Sequence, residues 1–256
     1  MRTRDTLRQL ANAVGIPLGI VLSVLPFASG RNSGDAAGAG LPTAVDAAAY
    51  AFAIWGLIFT WQIAYGVYQL LPAQRENATL RRVGWFTAAN GFGNALWAIA
   101  VLNRQIPLAA AILVLVMLVS LVATEAQFRE PFPEPGGREF WLVRVPYSIN
   151  LGWISVAAII SIAGVLRDAG WNGAPFAPQV WAALMIAVAA GLGVAMLLTR
   201  GNIAYAAVIV WALAAVAVQQ SGVPLVPLAA VIGAASVAVD IIATVFARRG
   251  VAGRAA

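Results

Sequence analysis

The 256-residue chain contains no histidine, no cysteine and no lysine. Without an imidazole, thiol or amine it has no Ser-His or Cys-His nucleophile, no zinc or haem site on the usual ligands and no Schiff-base lysine. The missing cysteine also excludes a disulfide framework and leaves the redox compartment open. Charge is scarce too. Only 10% of the residues are charged and 61% are hydrophobic, with a mean hydropathy of +0.84. A soluble domain needs far more charge on its water-facing surface. Function therefore has to rest on shape, aromatic rings, amides and carboxylates, and an evident acid-base pair for catalysis is lacking.

Apolar sequence is abundant, in stretches of about 20 residues, the length a helix needs to cross a bilayer core of roughly 30 Å. Eight are read as spans: Leu10–Ser29, Ala47–Leu71, Gly84–Leu102, Ile106–Ala126, Val143–Leu166, Val180–Thr199, Ile203–Gln219 and Val226–Phe246. The expected fold is all-α, a polytopic bundle of eight transmembrane helices with the lipid bilayer as its solvent. A net charge of +6 comes from 16 arginines against 10 acids. In a soluble protein that excess would suggest nucleic acid; here the arginines cluster at span ends, so topology explains them and no nucleic-acid partner is expected. With the N-terminus in the cytoplasm, 13 arginines fall inside and only Arg31, Arg104 and Arg167 outside. That is the positive-inside pattern of an even number of spans, with both termini cytoplasmic. The expected location is a bacterial inner (cytoplasmic) membrane. Arg2, Arg4 and Arg8 before an apolar run ending in Ala28, Ser29 and Gly30 also fit a secretion signal. The segment is read here as the first helix.

Gly, Ala, Ser and Asn dominate the connection from Gly30 to about Asp46, a composition that predicts mobility. It serves either as a solvated connector or as a lid over a cavity. The connection Phe128–Phe140, FREPFPEPGGREF, holds three prolines and two glycines and should run extended. Phe128, Phe132, Phe140 and Trp141 are expected to anchor it at the headgroups, unless it docks a partner. Beyond Leu166 the helices become rich in Ala, Val and Gly, and Gly191, Gly193 and Gly233 suggest close helix packing. No internal repeat is evident.

Helical spacing concentrates polar and aromatic groups on three stripes. The second helix places Trp55, Phe59, Gln62 and Gly66 at offsets 0, 4, 7 and 11, with Trp61, Tyr65 and Tyr68 on a second stripe. The third aligns Asn90, Asn94 and Trp97, with Gly91 and Gly93 allowing a neighbour to approach. The fifth aligns Asn150, Trp153, Ala157 and Ser161. Taken singly, each stripe reads as interhelical hydrogen bonding worth about 0.6 kcal/mol per bond, with tryptophans filling the bundle. Taken together, they suggest a pocket that grips a flat or branched apolar molecule by aromatic faces and orients it by amides.

The run YAFAIWGLIFTWQIAYGVYQ resembles the second helix of the TspO/MBR family, the tryptophan-rich sensory proteins, whose pattern is FGPVWTxLY-like. Trp55 matches the family tryptophan and Phe59 its tyrosine, while Ala53 replaces a proline. NALW is similar to the family LNxxW and aligns Asn94 and Trp97, with Asn90 where glutamine is common. PYSINLGWISVA is similar to PYLxWVxFA at Trp153 and Ala157, with Pro146 and Tyr147 three residues further upstream. The resemblance spans roughly residues 10–166. It implies a five-helix bundle over 1–166; the three-helix transmembrane extension read over 167–256 lies outside it. It further implies a pocket for tetrapyrroles, sterols or related apolar molecules, with carry-over to Trp55, Asn90, Asn94, Trp97, Trp153 and Ala157.

The expected function is ligand binding, as a sensor or carrier of a tetrapyrrole, sterol or isoprenoid, without established catalysis. The bound group would be a tetrapyrrole, carotenoid or lipid held without histidine ligation. The candidate ligand-binding set is Trp55, Phe59, Gln62, Asn90, Asn94, Trp97, Asn150, Trp153 and Ala157. Two alternatives stay open. One is an accessory subunit of a larger membrane complex, or a homodimer, docked through the small residues of the last helices. The other is a transporter using Asp240, the one carboxylate well inside a span, on a stripe with Gly233, Ser236 and Thr244. A charge at mid-bilayer costs about 2.5–3.5 kcal/mol, so Asp240 should face protein or water, or carry a proton. Glu125 and Arg144, at neighbouring helix ends, are expected to pair at the interface.

Overall fold

The computed structural model of the protein describes residues 2–28, 42–102, 107–128, 132, 136–222 and 224–255. All regular structure among them is helical. Eight principal helices occur: α1 (Arg2–Ala28), α2 (Ile54–Leu70), α3 (Ala78–Leu102), α4 (Pro107–Ala126), α5 (Val145–Asp168), α6 (Pro178–Arg200), α7 (Ile203–Gln219) and α8 (Leu225–Ala255). A 3₁₀ turn, Ala49–Ala53, leads into α2, and a π turn, Phe140–Arg144, leads into α5.

Among the described residues, six segments are long and apolar enough to cross a membrane, against the eight expected. They contain α1, α2, α4, α5, α6 and α8. The other two fall short for different reasons. Helix α7 has 17 residues, about 25 Å at 1.5 Å per residue, less than a hydrocarbon core of about 30 Å. Helix α3 has 25 residues, but Arg81, Arg82, Asn90 and Asn94 dilute its apolar character.

Helices α1, α3, α4 and α5 pack in succession, and α2 packs on α1 and α5. Helix α7 lies on α5, and α6 and α8 both lie on α7. Chain direction alternates. The connections rich in arginine meet at one end, where Arg200 and Arg248 donate to the Phe128, Phe132 and Gly201 carbonyls. Segment 42–53 and the connection between α5 and α6 occupy the opposite end.

Small residues set the tightest crossings. A Cβ on Gly91 would stand 2.8–3.0 Å from backbone atoms of Gly15 and Ile16, and one on Gly19 would meet the Gly91 oxygen at 2.7 Å. Helices α1 and α3 therefore touch backbone to backbone, as small residues permit in lipid, where packing rather than hydrophobicity joins helices. Gly152 plays the same part between α5 and α7, facing Val208 and the Tyr205 carbonyl. Gly193 and Gly233 face Val237 and Ala190 respectively, as expected, whereas Gly191 has no neighbour within 4 Å and looks outward.

A polar ladder at the arginine-rich end joins the first three helices. Asn12 donates to the Gly84 carbonyl at 2.7 Å, Thr87 donates to Asn12 Oδ1 at 2.8 Å, and Tyr65 Oη lies 2.9 Å from Thr87 Oγ1. Asp5 and Arg81 pair through two contacts of 2.6 and 3.0 Å. The headgroup-anchor expectation is corrected here. Phe128, Phe132 and Phe140 are buried, the Arg144 guanidinium sits 4.0 Å over the Phe128 ring, and only Trp141 is exposed. A cation-π contact shields that guanidinium inside the protein. Residues 129–131 and 133–135 of that connection, and most of the Gly30–Asp46 connection, lie outside the described residues; where an extended path was expected, Gly137–Glu139 forms a helical turn instead. Asp46 itself closes a turn by accepting from the Thr43 amide and hydroxyl.

Candidate functional site

Trp55 sits one residue into α2, just past the 3₁₀ turn that carries Phe52. Trp97 approaches along α3 and Trp153 along α5. Their rings converge: Trp55 and Trp97 stack with centroids 6.0 Å apart, and Trp153 meets Trp55 edge-on at 6.4 Å. Phe59 extends the cluster at 5.1 Å from Trp55, and Phe52 meets the Trp153 ring at 5.4 Å. Offset and edge-on rings pair the positive edge of one with the negative face of the other. Trp153 is 1% exposed and Trp55 9%, while Trp97 is half-buried.

A cavity of about 30 Å³ lies among these rings. That is room for a water molecule and nothing larger. Trp55, Trp97, Trp153 and Ala157 line it, together with Phe52 and Met117. The α4 contribution, Val114 and Met117, has no signal in the sequence because α4 is apolar on every face. Gly93 does point to it: a Cβ there would stand 3.0 Å from Met117 Cγ.

The amides occupy another level. Asn150 Nδ2 donates to Asn90 Oδ1 at 3.0 Å, joining α5 to α3. Asn90 precedes Trp97 by seven residues, about 10 Å along α3, so this pair lies beneath the rings toward the arginine-rich end. Asn94, 2% exposed, turns to α1 near Gly19, and neither of its amide atoms has a hydrogen-bond partner among the described residues. Gln62 is buried on α2, below Phe59. Of the nine candidate ligand-binding residues, then, four line the cavity, Phe59 backs it, and the four amides do not border it.

Helix α7 holds the far wall in place, which sequence reasoning missed. Trp211 Nε1 donates to the Ala51 carbonyl at 3.2 Å, and the Ala48 amide donates to the Ala215 carbonyl at 3.0 Å. These bonds fix the turn that carries Phe52 and introduces Trp55. Asn202 caps α7 by accepting from the Tyr205 amide at 3.1 Å and donates to Ser148 on α5 at 2.9 Å. Tyr205 donates to Ser155 at 3.1 Å. Asp240 is half-buried on α8, which packs on α6 and α7 and so stands apart from the tryptophan cluster. Glu125 is buried at the end of α4, within electrostatic reach of Arg144 and Arg200.

The fold and its aromatic centre define a class: an all-helical protein with membrane-spanning helices around a tryptophan-lined core. The family model of the TSPO-like protein matches residues 9–243, and the chain belongs to that family. The match runs past residue 166 and takes in α6, α7 and most of α8, beyond the reach of the resemblance read from motifs. Comparison with curated proteins and with solved structures finds no match.

Proposed function

We propose that this TSPO-like membrane protein binds a flat hydrophobic ligand of the tetrapyrrole class, or a sterol or isoprenoid of similar bulk, as a sensor or carrier. The observation that carries the reading is the convergence of Trp55, Trp97 and Trp153 from three helices on one cavity. Two carbon layers in contact on either face of a guest ring need about 7 Å, twice an optimal separation of roughly 3.5 Å. The stacked indoles stand 6.0 Å apart between centroids. Binding therefore separates them by at least about 1 Å, and the half-buried Trp97 is the ring that moves. With no histidine in the chain, stacking and hydrogen bonds hold the guest. In this reading the site binds without catalysing, eight spans cross the membrane and both termini face the cytoplasm.

The test is titration of protoporphyrin into the detergent-solubilised protein, followed by the porphyrin absorption band and by tryptophan quenching. Trp97→Ala and Trp153→Ala should each weaken binding at least tenfold while circular dichroism stays helical. Wild-type binding in both folded variants refutes the assignment.

A further inference from the structure

A second, much larger cavity lies between α5 and α6 at the end away from the arginine-rich connections. Its shape follows from the local sequence. Gly170 ends α5 in the left-handed region at φ +83°, with its amide bonded to the Arg167 carbonyl and the Trp171 amide to the Leu166 carbonyl, each at 3.0 Å. This helix-ending pattern folds the following residue back over the last turn. Trp171 is thereby set above Leu166. Gly173, at φ +95°, turns the chain again, and a Cβ there would stand 2.8 Å from the Phe176 carbonyl oxygen. Trp181 in the first turn of α6 donates to the Gly173 carbonyl at 2.7 Å and packs on Trp171 with ring centroids 5.5 Å apart. The two indoles prop the helix ends apart. Residues 42–45 close the remaining side.

The cleft has a volume of about 510 Å³, within the 300–1,000 Å³ typical of small-molecule sites. Ile159 and Ala163 from α5 face Ala182 and Met185 from α6 along its depth. Polar chemistry is confined to the mouth. Arg167 stands there, with Asn172, whose oxygen accepts from the Ala174 amide and whose NH₂ remains as a donor. The neighbouring carboxylate, Asp46, accepts from Thr43, and Asp168 is not among the residues that line the cavity. The first turn of α6, Pro178 to Trp181, borders the mouth, and the helix dipole adds positive potential there. An apolar shaft with a cationic rim fits one kind of molecule.

We propose that this cleft is a second ligand site, taking an amphiphile with an alkyl chain and an anionic head: the chain lies between α5 and α6 and the head at Arg167. It is independent of the tryptophan chamber, and does not rest on the function proposed for it. The occupant is either a free fatty acid or an acyl chain of an anionic phospholipid, which share this chemistry.

The experiment uses the full chain in phosphatidylcholine nanodiscs titrated with brominated stearate, whose bromines quench nearby indoles. Wild type should lose a fraction of emission that the Trp171→Phe variant lacks. Ala163→Phe and Met185→Trp, which fill the shaft from opposite walls, should each raise the half-saturating concentration at least tenfold. Arg167→Gln should raise it at least threefold for the acid but leave the corresponding brominated alcohol unchanged. Trp97→Ala should retain binding, which separates this site from the chamber. Brominated phosphatidylglycerol in the disc that quenches Trp171 and resists displacement by stearate identifies the bilayer as the source; ready displacement identifies the free acid. Equal quenching in both shaft-filling variants and wild type, or equal binding of alcohol and acid, overturns the proposal.

Discussion

Gly91→Ala is the sharpest test of how this bundle is held together, and Gly191→Ala is its control. Both place one methyl group on a helix of this protein. At Gly91 the methyl carbon would stand 2.8, 2.9 and 3.0 Å from three backbone atoms of α1, none of which can rotate away. An ordinary carbon contact is about 3.5–4.0 Å, so α1 must retreat by roughly 0.5–1 Å. A gap of that size forfeits about a quarter to a half of each neighbouring van der Waals contact along the crossing. It also stretches the Asn12 bonds to Gly84 and Thr87, now 2.7 and 2.8 Å. Overpacking of this kind costs about 1–3 kcal/mol. At Gly191 nothing lies within 4 Å. The gain in helix propensity from Gly to Ala is common to both variants and cancels in their difference. Gly91→Ala should therefore be less stable than Gly191→Ala by about 1–3 kcal/mol, a factor of about 5–150 in the unfolding constant. Unfolding of the detergent-solubilised protein by sodium dodecyl sulfate, followed by circular dichroism, measures it. A difference within about 0.5 kcal/mol would refute the backbone-to-backbone crossing.

Three further outcomes follow from the site's supports. Asn202→Ala loses both the α7 cap and the bond to Ser148, and should cost about 1–2 kcal/mol in the same assay; Asn202→Asp keeps the cap acceptor and should recover most of it. Trp211→Phe keeps the ring contact with Tyr50 but removes the donor to Ala51. It should lower stability by about 0.6 kcal/mol, and faster hydrogen exchange at residues 49–53 would report the loosened turn. Asp240→Asn should leave porphyrin titration unchanged, because α8 packs chiefly on α6 and α7. Loss of binding in that variant would contradict the placement of the chamber.

Helical period and apolar length made most of the secondary structure legible. The eight helices overlap the eight stretches read from composition, and the Trp55, Trp97 and Trp153 stripes do turn to a common interior. The amides show where that reading ran out. Offsets of three, four and seven residues place Asn90, Asn94 and Trp97 on one side of α3, yet Asn90 faces α5 and Asn94 faces α1. A stripe spans a wide arc, and two helices can share it. Phe128, Phe132 and Phe140 looked like interfacial anchors because their composition matches that role equally well. Arg144, sixteen residues from Phe128 in sequence, stands 4.0 Å over that ring in the fold and draws it inward.

The sequence by itself determined that this is a helical protein of the membrane, that histidine, cysteine and lysine chemistry is closed to it, and that its tryptophans carry a TSPO-like pattern. Only the tertiary structure decided which faces meet. In lipid the outer surface is as apolar as the core, so hydrophobicity cannot separate a buried leucine such as Leu121 from an exposed one such as Leu198. Close packing makes that choice, through glycines at the crossings and through α7 clamping the turn before Trp55. It also leaves the tryptophan chamber nearly filled and opens the larger space between α5 and α6, because two helix-end turns and two indoles hold those helices apart.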